Sequence, residues 1–234
     1  MLVVTFAFVA EASLGFGSTL LTVTLGASLM PIHELLPAFI PLNLFASLWI
    51  VRRSPRRVDF RLLTHTIAPW LLLGLPLGIF AFLRLEAGPL ARLLGGVVTL
   101  MAARELVAAL RRVASSPNPI VQRLMLVAGG LAHGAFGSGG PFVVYVAGRL
   151  GLPKEVFRST LAVLWLALSV VLIATYVADG RIDIAALLRS AAMASAAALG
   201  LVIGDRLFQR IPQEAFRLAV FALLFVAGLA LVLR

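Results

Sequence analysis

His133-Gly134-Ala135-Phe136-Gly137-Ser138-Gly139-Gly140-Pro141-Phe142 interrupts an otherwise apolar run that extends from about residue 121 to 149. Glycine costs a helix about 1 kcal/mol relative to alanine, and proline about 3 kcal/mol. Four glycines, a proline, a histidine and a serine in the middle of a membrane-length segment therefore mark a break, not a continuous helix. A related stretch, Gly15-Phe16-Gly17-Ser18-Thr19, interrupts the first apolar run, residues 2–30. As one straight helix that run would be about 43 Å long, more than a hydrocarbon core about 30 Å thick requires.

The rest of the chain sets the solvent in which these breaks must exist. Of its 234 residues, 61% are hydrophobic and only 13% are charged. Mean hydropathy is +1.05. Soluble domains are about one-quarter charged, so the composition predicts an all-α integral membrane protein, with the lipid bilayer as its first partner. Alternating ten-residue strand patterns, as in a membrane barrel, are absent. The net charge of +10 comes from 19 arginines and one lysine. They lie between apolar runs, where positive-inside anchoring explains them, and no nucleic acid partner is expected. There are no cysteines, which removes disulfides, thiolate metal sites and thiol nucleophiles. The opening MLVVTFAFVAEAS has the apolar run of a signal peptide but no basic n-region, and it reads as part of the mature fold.

The two breaks belong to a longer self-similarity. Phe16-Gly17-Ser18 recurs as Phe136-Gly137-Ser138, Pro31 as Pro153 and Asp59 as Asp183. Gly74 and Gly78 recur as Gly200 and Gly204, and Arg92-Leu93 as Arg217-Leu218. The order is kept while the offset drifts between 120 and 126, as small loop insertions would make it. This predicts an N-terminal membrane repeat over 1–114, a linker at 115–119 and a C-terminal membrane repeat over 120–234. Each repeat has four apolar segments: about 2–30, 35–51, 64–83 and 89–110, then about 121–149, 156–178, 184–207 and 214–233. The Gly-x-x-x-Gly pairs of the third segments read as close helix crossings, and Asp59 and Asp183 as caps at the starts of those segments.

Charge decides the orientation. Eight straight crossings would divide the basic residues 12 to 8 across the membrane, with the two repeats disagreeing. If the first segment of each repeat is instead a re-entrant pair of half-length arms, the division becomes 15 to 5 and the second repeat is inverted. The expected fold is therefore two inverted repeats, each a broken first helix plus three transmembrane helices. In such architectures substrate binds at the breaks near the midplane.

Non-helical backbone at membrane depth survives only inside protein or beside a wet cavity. A helix N-terminus there presents N–H groups and a positive dipole end, which together make an anion site. The expected substrate-binding residues are Gly15, Gly17, Ser18, Thr19, His133, Gly137, Ser138, Gly139 and Gly140. Asn43 and Trp165, at equivalent positions in the second segments, are expected to join them. Glu11 and His133 each lie four residues before a break glycine and are candidates for proton coupling. Arg158, at the start of the sixth segment, reads as an interfacial anchor. Enzymatic readings fit poorly. Phe136 stands where a Gly-x-Ser-Gly nucleophile motif needs glycine, the three histidines lack metal-ligand spacing, and no lysine follows the glycines to form a phosphate loop. No catalytic residue, metal or cofactor is expected.

The order of these features resembles the TauE/SafE sulfite-exporter family. It runs from Gly15-Phe16-Gly17-Ser18-Thr19 through a polar central linker to His133-Gly134-Ala135-Phe136-Gly137-Ser138-Gly139-Gly140-Pro141. The resemblance spans essentially the whole chain. It departs from the family at Ser18-Thr19-Leu20, where glycines are more usual, and at Pro37-Ala38-Phe39 in the second segment. The resemblance implies a secondary transporter of the bacterial cytoplasmic membrane that exports sulfite, an organosulfonate or another small sulfur-containing anion. A passive anion channel, or a membrane-embedded enzyme or complex subunit, are the alternatives. The residues alone point to a small anion and leave sulfur and oligomeric state open.

Overall fold

The structure, a computed structural model, describes residues 1–26, 30–53, 57–84, 96, 99–100, 102–104, 106–107 and 118–233. Most of the fourth segment expected at 89–110, and residues 115–117 of the expected linker, lie outside them. The described residues form helices and no strand. These are α1 (Leu2–Leu14), α2 (Ser18–Gly26), α3 (Ile32–Arg53), a wide π-type turn (Leu62–Ile67) running into α4 (Ala68–Arg84), α5 (Pro119–Phe136), α6 (Gly140–Ala147), α7 (Lys154–Ala178), α8 (Ile184–Arg210) and α9 (Gln213–Val232). Among the described residues, five stretches are long and apolar enough to cross a bilayer: Ile32–Arg53, Leu62–Arg84, Lys154–Ala178, Ile184–Arg210 and Gln213–Ala230. The broken segments contribute the shorter pairs α1–α2 and α5–α6, and the arms of each pair pack on one another.

Local chemistry explains where these helices start and stop. Gly15 ends α1 in the left-handed conformation (φ 84°) and donates its N–H to Glu11 O at 2.8 Å. Gly137 ends α5 in the same way (φ 63°), with its N–H on His133 O at 2.7 Å. Asn118 caps α5, accepting from Ile120 N–H at 2.9 Å, and Pro119 fills the first turn. Asp183 caps α8, as its sequence position suggests, by accepting from Ala186 N–H at 2.7 Å. Element starts recur at one spacing: Ser18 and Gly140, Ile32 and Lys154, Leu62 and Ile184 are each 122 residues apart. The left-handed caps Gly15 and Gly137 share that spacing.

The chain forms two compact units, residues 1–60 with 155–211 and residues 61–154 with 212–234, so each unit draws on both halves of the sequence. In the first, α1 runs parallel to α8. A Cβ at Gly200 would lie 2.5 Å from Thr5 O, and one at Gly204 2.5 Å from Val9 O. Around this crossing Phe8, Ala12, Phe39, Ala46, Ala197 and Leu201 form a buried core, with the Phe8 and Phe39 rings 5.3 Å apart. In the second, α4 crosses α5 through two glycine pairs. Gly74 and Gly78 lie on the carbonyls of Val127 and Leu131, and Gly130 and Gly134 on those of Leu71 and Leu75. The Gly-x-x-x-Gly pairs thus do what their spacing suggests, with Gly130 and Gly134 as partners for the first. The other side of α4 presents Leu72, Leu73, Leu77 and Phe80, all exposed. A helix apolar on every face is solvated by lipid.

At one end of the first unit, the C-termini of α3 and α8 meet the N-terminus of α7. Arg53 Nη1 contacts Asp205 Oδ2 at 2.6 Å, Arg57 lies 3.6 Å from Glu155, and Asp59 N–H donates to Thr160 Oγ1 at 2.9 Å. Eight straight crossings would put the end of α3 and the start of α7 on opposite sides of a bilayer.

Candidate functional site

The first break is a sealed polar knot. Residues Glu11 to Leu20 are all buried. Glu11, one turn before the α1 cap, reaches across the gap to the start of α2. Its Oε2 accepts from Ser18 N–H at 3.1 Å and from Ser18 Oγ–H at 2.8 Å. Ser18 Oγ also lies 3.3 Å from Asn43 Oδ1, and Asn43 Nδ2 donates to Thr19 Oγ1 at 3.2 Å. Gly17 takes a second left-handed conformation (φ 109°), which turns the chain between the arms. Trp165 closes the knot from α7, its indole N–H donating to Gly15 O at 2.9 Å.

The structure therefore brings Glu11, Gly15, Gly17, Ser18, Thr19, Asn43 and Trp165 together in the first unit. Asn43 and Trp165 come from different halves of the sequence and meet at one break. The hydroxyls of Ser18 and Thr19, expected to face a ligand, are engaged with Glu11 and Asn43.

The second break holds His133, Gly137, Ser138, Gly139 and Gly140 in the second unit. His133, 1% exposed, spans the gap as Glu11 does: its Nδ1 accepts from Gly139 N–H at 3.3 Å. In the neutral ring this places the proton on Nε2. The N–H of Gly139, expected to be open to a ligand, is bonded to the histidine. Gly139 has no room for a side chain, because a Cβ there would come 2.9 Å from His133 Cβ and run into Gly129 O. Pro141 sits in the first turn of α6 as its ring favours. Ser138 alone among these residues is partly exposed.

The reading of Arg158 as an interfacial anchor is corrected. Arg158 is 2% exposed and packs against the first break, its Cα 3.1 Å from where a Gly15 Cβ would stand. Its Nη1 donates to Ala12 O at 2.8 Å, and its Nη2 to Asp205 Oδ1 at 2.7 Å. The guanidinium also lies 3.9 Å from the centre of the Phe208 ring. The C-terminal carbonyls of α1 thus take three donors: Gly15 N–H on Glu11 O, Arg158 on Ala12 O and Trp165 on Gly15 O. A cation at that end also complements the helix dipole. Asp205 drew no attention in the sequence, since an acid among Arg206 and Arg210 reads as a surface charge.

A family model described as "Sulfite exporter TauE/SafE" matches residues 1–231. No curated protein and no solved structure matches the chain. The match runs over both breaks and the five stretches long and apolar enough to cross a bilayer among the described residues. The protein is a multi-pass membrane protein, and its family is one of exporter-type transporters. The chain belongs to the TauE/SafE sulfite-exporter family.

Proposed function

We propose that the protein is a secondary transporter that exports a small sulfur-containing anion, sulfite or an organosulfonate, across a bacterial cytoplasmic membrane. Each helix break serves as an anion station. At the first, the N-terminus of α2 offers Ser18 and Thr19, backed by Gly15, Gly17, Asn43 and Trp165. At the second, the N-terminus of α6 offers Gly140, with Gly137, Ser138, Gly139 and His133 beside it. The observation that carries this reading is the shared construction of the two breaks. In each, a left-handed glycine ends the incoming arm and a buried polar side chain crosses the gap to an N–H at or next to the start of the outgoing arm. Such termini favour an anion without placing a cation on it.

The contacts between the end of α3, the start of α7 and the end of α8 support the inverted-repeat arrangement, as do the recurrent element starts. Energetics supports the outward direction. A membrane potential negative inside favours anion exit by about 2.3 kcal/mol per charge per 100 mV, which drives outward movement against any opposing concentration gradient smaller than that.

The test is current and tracer flux through purified protein in planar bilayers and proteoliposomes, with sulfite, sulfoacetate, sulfate and acetate compared. A transporter gives saturable, slow flux that favours the sulfur anions. Large ohmic currents would identify a channel instead, and indifference between sulfoacetate and acetate would remove the sulfur preference.

A further inference from the structure

We propose that Glu11 is a tethered competitor for the transported anion. Its carboxylate occupies the N-terminus of α2 when ionised, and its protonation releases that terminus to the substrate. This rests on reading the first break as an anion station.

Glu11 is 2% exposed. One of its oxygens already takes the two donors that an incoming oxyanion would seek, the N–H and hydroxyl of Ser18. Its other oxygen, Oε1, is buried and meets no donor. A carboxylate has about four acceptor sites, so this one is placed at the terminus of a nine-residue helix without being satisfied there. Among the described residues it makes no ion pair.

Among the described residues, the other buried charged groups of this unit are Arg158 and Asp205, and both are engaged elsewhere. Arg158 of α7 holds Ala12 O and Asp205, Asp205 of α8 is bridged between Arg158 and Arg53, and Arg53 of α3 is spent on Asp205. The polar groups that α2 and α3 bring to the knot are the neutral Ser18, Thr19 and Asn43. A second anion on Ser18 would therefore stand against an uncompensated carboxylate. Two like charges in a site this dry exclude one another.

The second break differs in kind. The residue that crosses it, His133, is a neutral acceptor, so that terminus carries no resident anion. The competitor is confined to the first break, and binding there takes up one proton. A dianion that enters with that proton still carries one net negative charge, so the membrane potential continues to drive it outward.

The test uses the full-length chain in detergent micelles. Trp49→Phe and Trp70→Phe leave Trp165 as the single indole, and its N–H lies on Gly15 O within the break. Sulfate and methanesulfonate are the probes, because neither changes charge between about pH 3.5 and pH 9, a range that takes in the ordinary glutamate pKa of about 4.3 and several pH units above it. Apparent affinity from Trp165 fluorescence should fall as pH rises, approaching about tenfold per pH unit where one proton is linked to binding. Glu11→Gln keeps an acceptor for Ser18 but carries no charge. It should bind both probes with no pH dependence, and more tightly than wild type at the alkaline end. Glu11→Ala, which vacates the terminus altogether, should behave likewise. Wild-type binding that ignores pH, or a Glu11→Gln profile that retains the wild-type slope, would overturn the competitor while leaving the anion station intact. No response from Trp165 in any variant at any pH would remove both.

Discussion

The bridge Arg158–Asp205–Arg53 makes a quantitative prediction, because its two ionic contacts share one carboxylate and differ in burial. The Arg158 side chain is 3% exposed, Asp205 is 7% exposed and Arg53 is 51% exposed. Arg53→Ala removes a cation that water or headgroups can solvate in any state, and should cost about 0–1 kcal/mol. Asp205→Ala strands the Arg158 guanidinium in a dry site, with Ala12 O and the Phe208 ring as its close partners and no directly paired carboxylate, and should cost about 3–5 kcal/mol. Replacing both buried members, as Arg158→Met with Asp205→Leu, removes the stranded charge and should recover most of that loss. Equilibrium unfolding of the wild type and the three variants in mixed detergent micelles, followed by circular dichroism, gives the free energies. Equal costs for Arg53→Ala and Asp205→Ala would refute the reasoning. So would a double variant no more stable than Asp205→Ala, since the penalty would not then come from an unpaired buried charge.

Other perturbations probe other parts of the account. Gly130→Val drives a side chain into Leu71 O at the α4–α5 crossing. It should cost at least the ~1–3 kcal/mol of an overpacked core, whereas Gly151→Ala, with open space around it, should cost only the strain of its left-handed φ of 65°, about 1–2 kcal/mol. Trp165→Phe keeps the aromatic bulk but strips the donor from Gly15 O. A loss of about 1–3 kcal/mol in stability, together with reduced flux, is the expected result. The chain has no cysteine, so single cysteines report sidedness cleanly. Arg57→Cys and Gln209→Cys should react with an impermeant maleimide from the same face of a vesicle, and Asp179→Cys from the other. Reaction of Arg57→Cys and Gln209→Cys from opposite faces would sink the inverted arrangement.

Much of the fold was legible because membrane physics leaves few choices. The break at Gly15-Phe16-Gly17 appears as the gap between α1 and α2, and that at Gly137-Ser138-Gly139 as the gap between α5 and α6. The glycine pairs of the third segments are indeed crossings. Matching letters misled by two residues, however. Phe16-Gly17-Ser18 and Phe136-Gly137-Ser138 are 120 apart, whereas the left-handed caps and the helix starts are 122 apart. A cap needs its glycine at one position after the last helical turn, and that geometry pairs Gly15 with Gly137 and Glu11 with His133.

The interleaving of the halves left no trace in the sequence, because an apolar helix packs equally well on any small-residue stripe. Arg158 and Asp205 were hidden for a related reason. Each lies near a helix end, where a charge ordinarily faces water, and their contact joins positions 47 residues apart. Only the packing of α1 against α8 makes that end an interior.

The central claim is that an anion is transported by way of the helix breaks. Sulfite uptake into inside-out proteoliposomes, compared between wild type and Ser138→Leu, tests it most directly. Ser138 is the partly exposed residue of the second break, so a leucine there should fit without unfolding the protein while blocking approach to the α6 terminus. Saturable flux in wild type, lost in a Ser138→Leu protein that melts normally, is the predicted result. Flux unchanged by the substitution, or no flux of any sulfur anion through folded wild-type protein, would contradict the account.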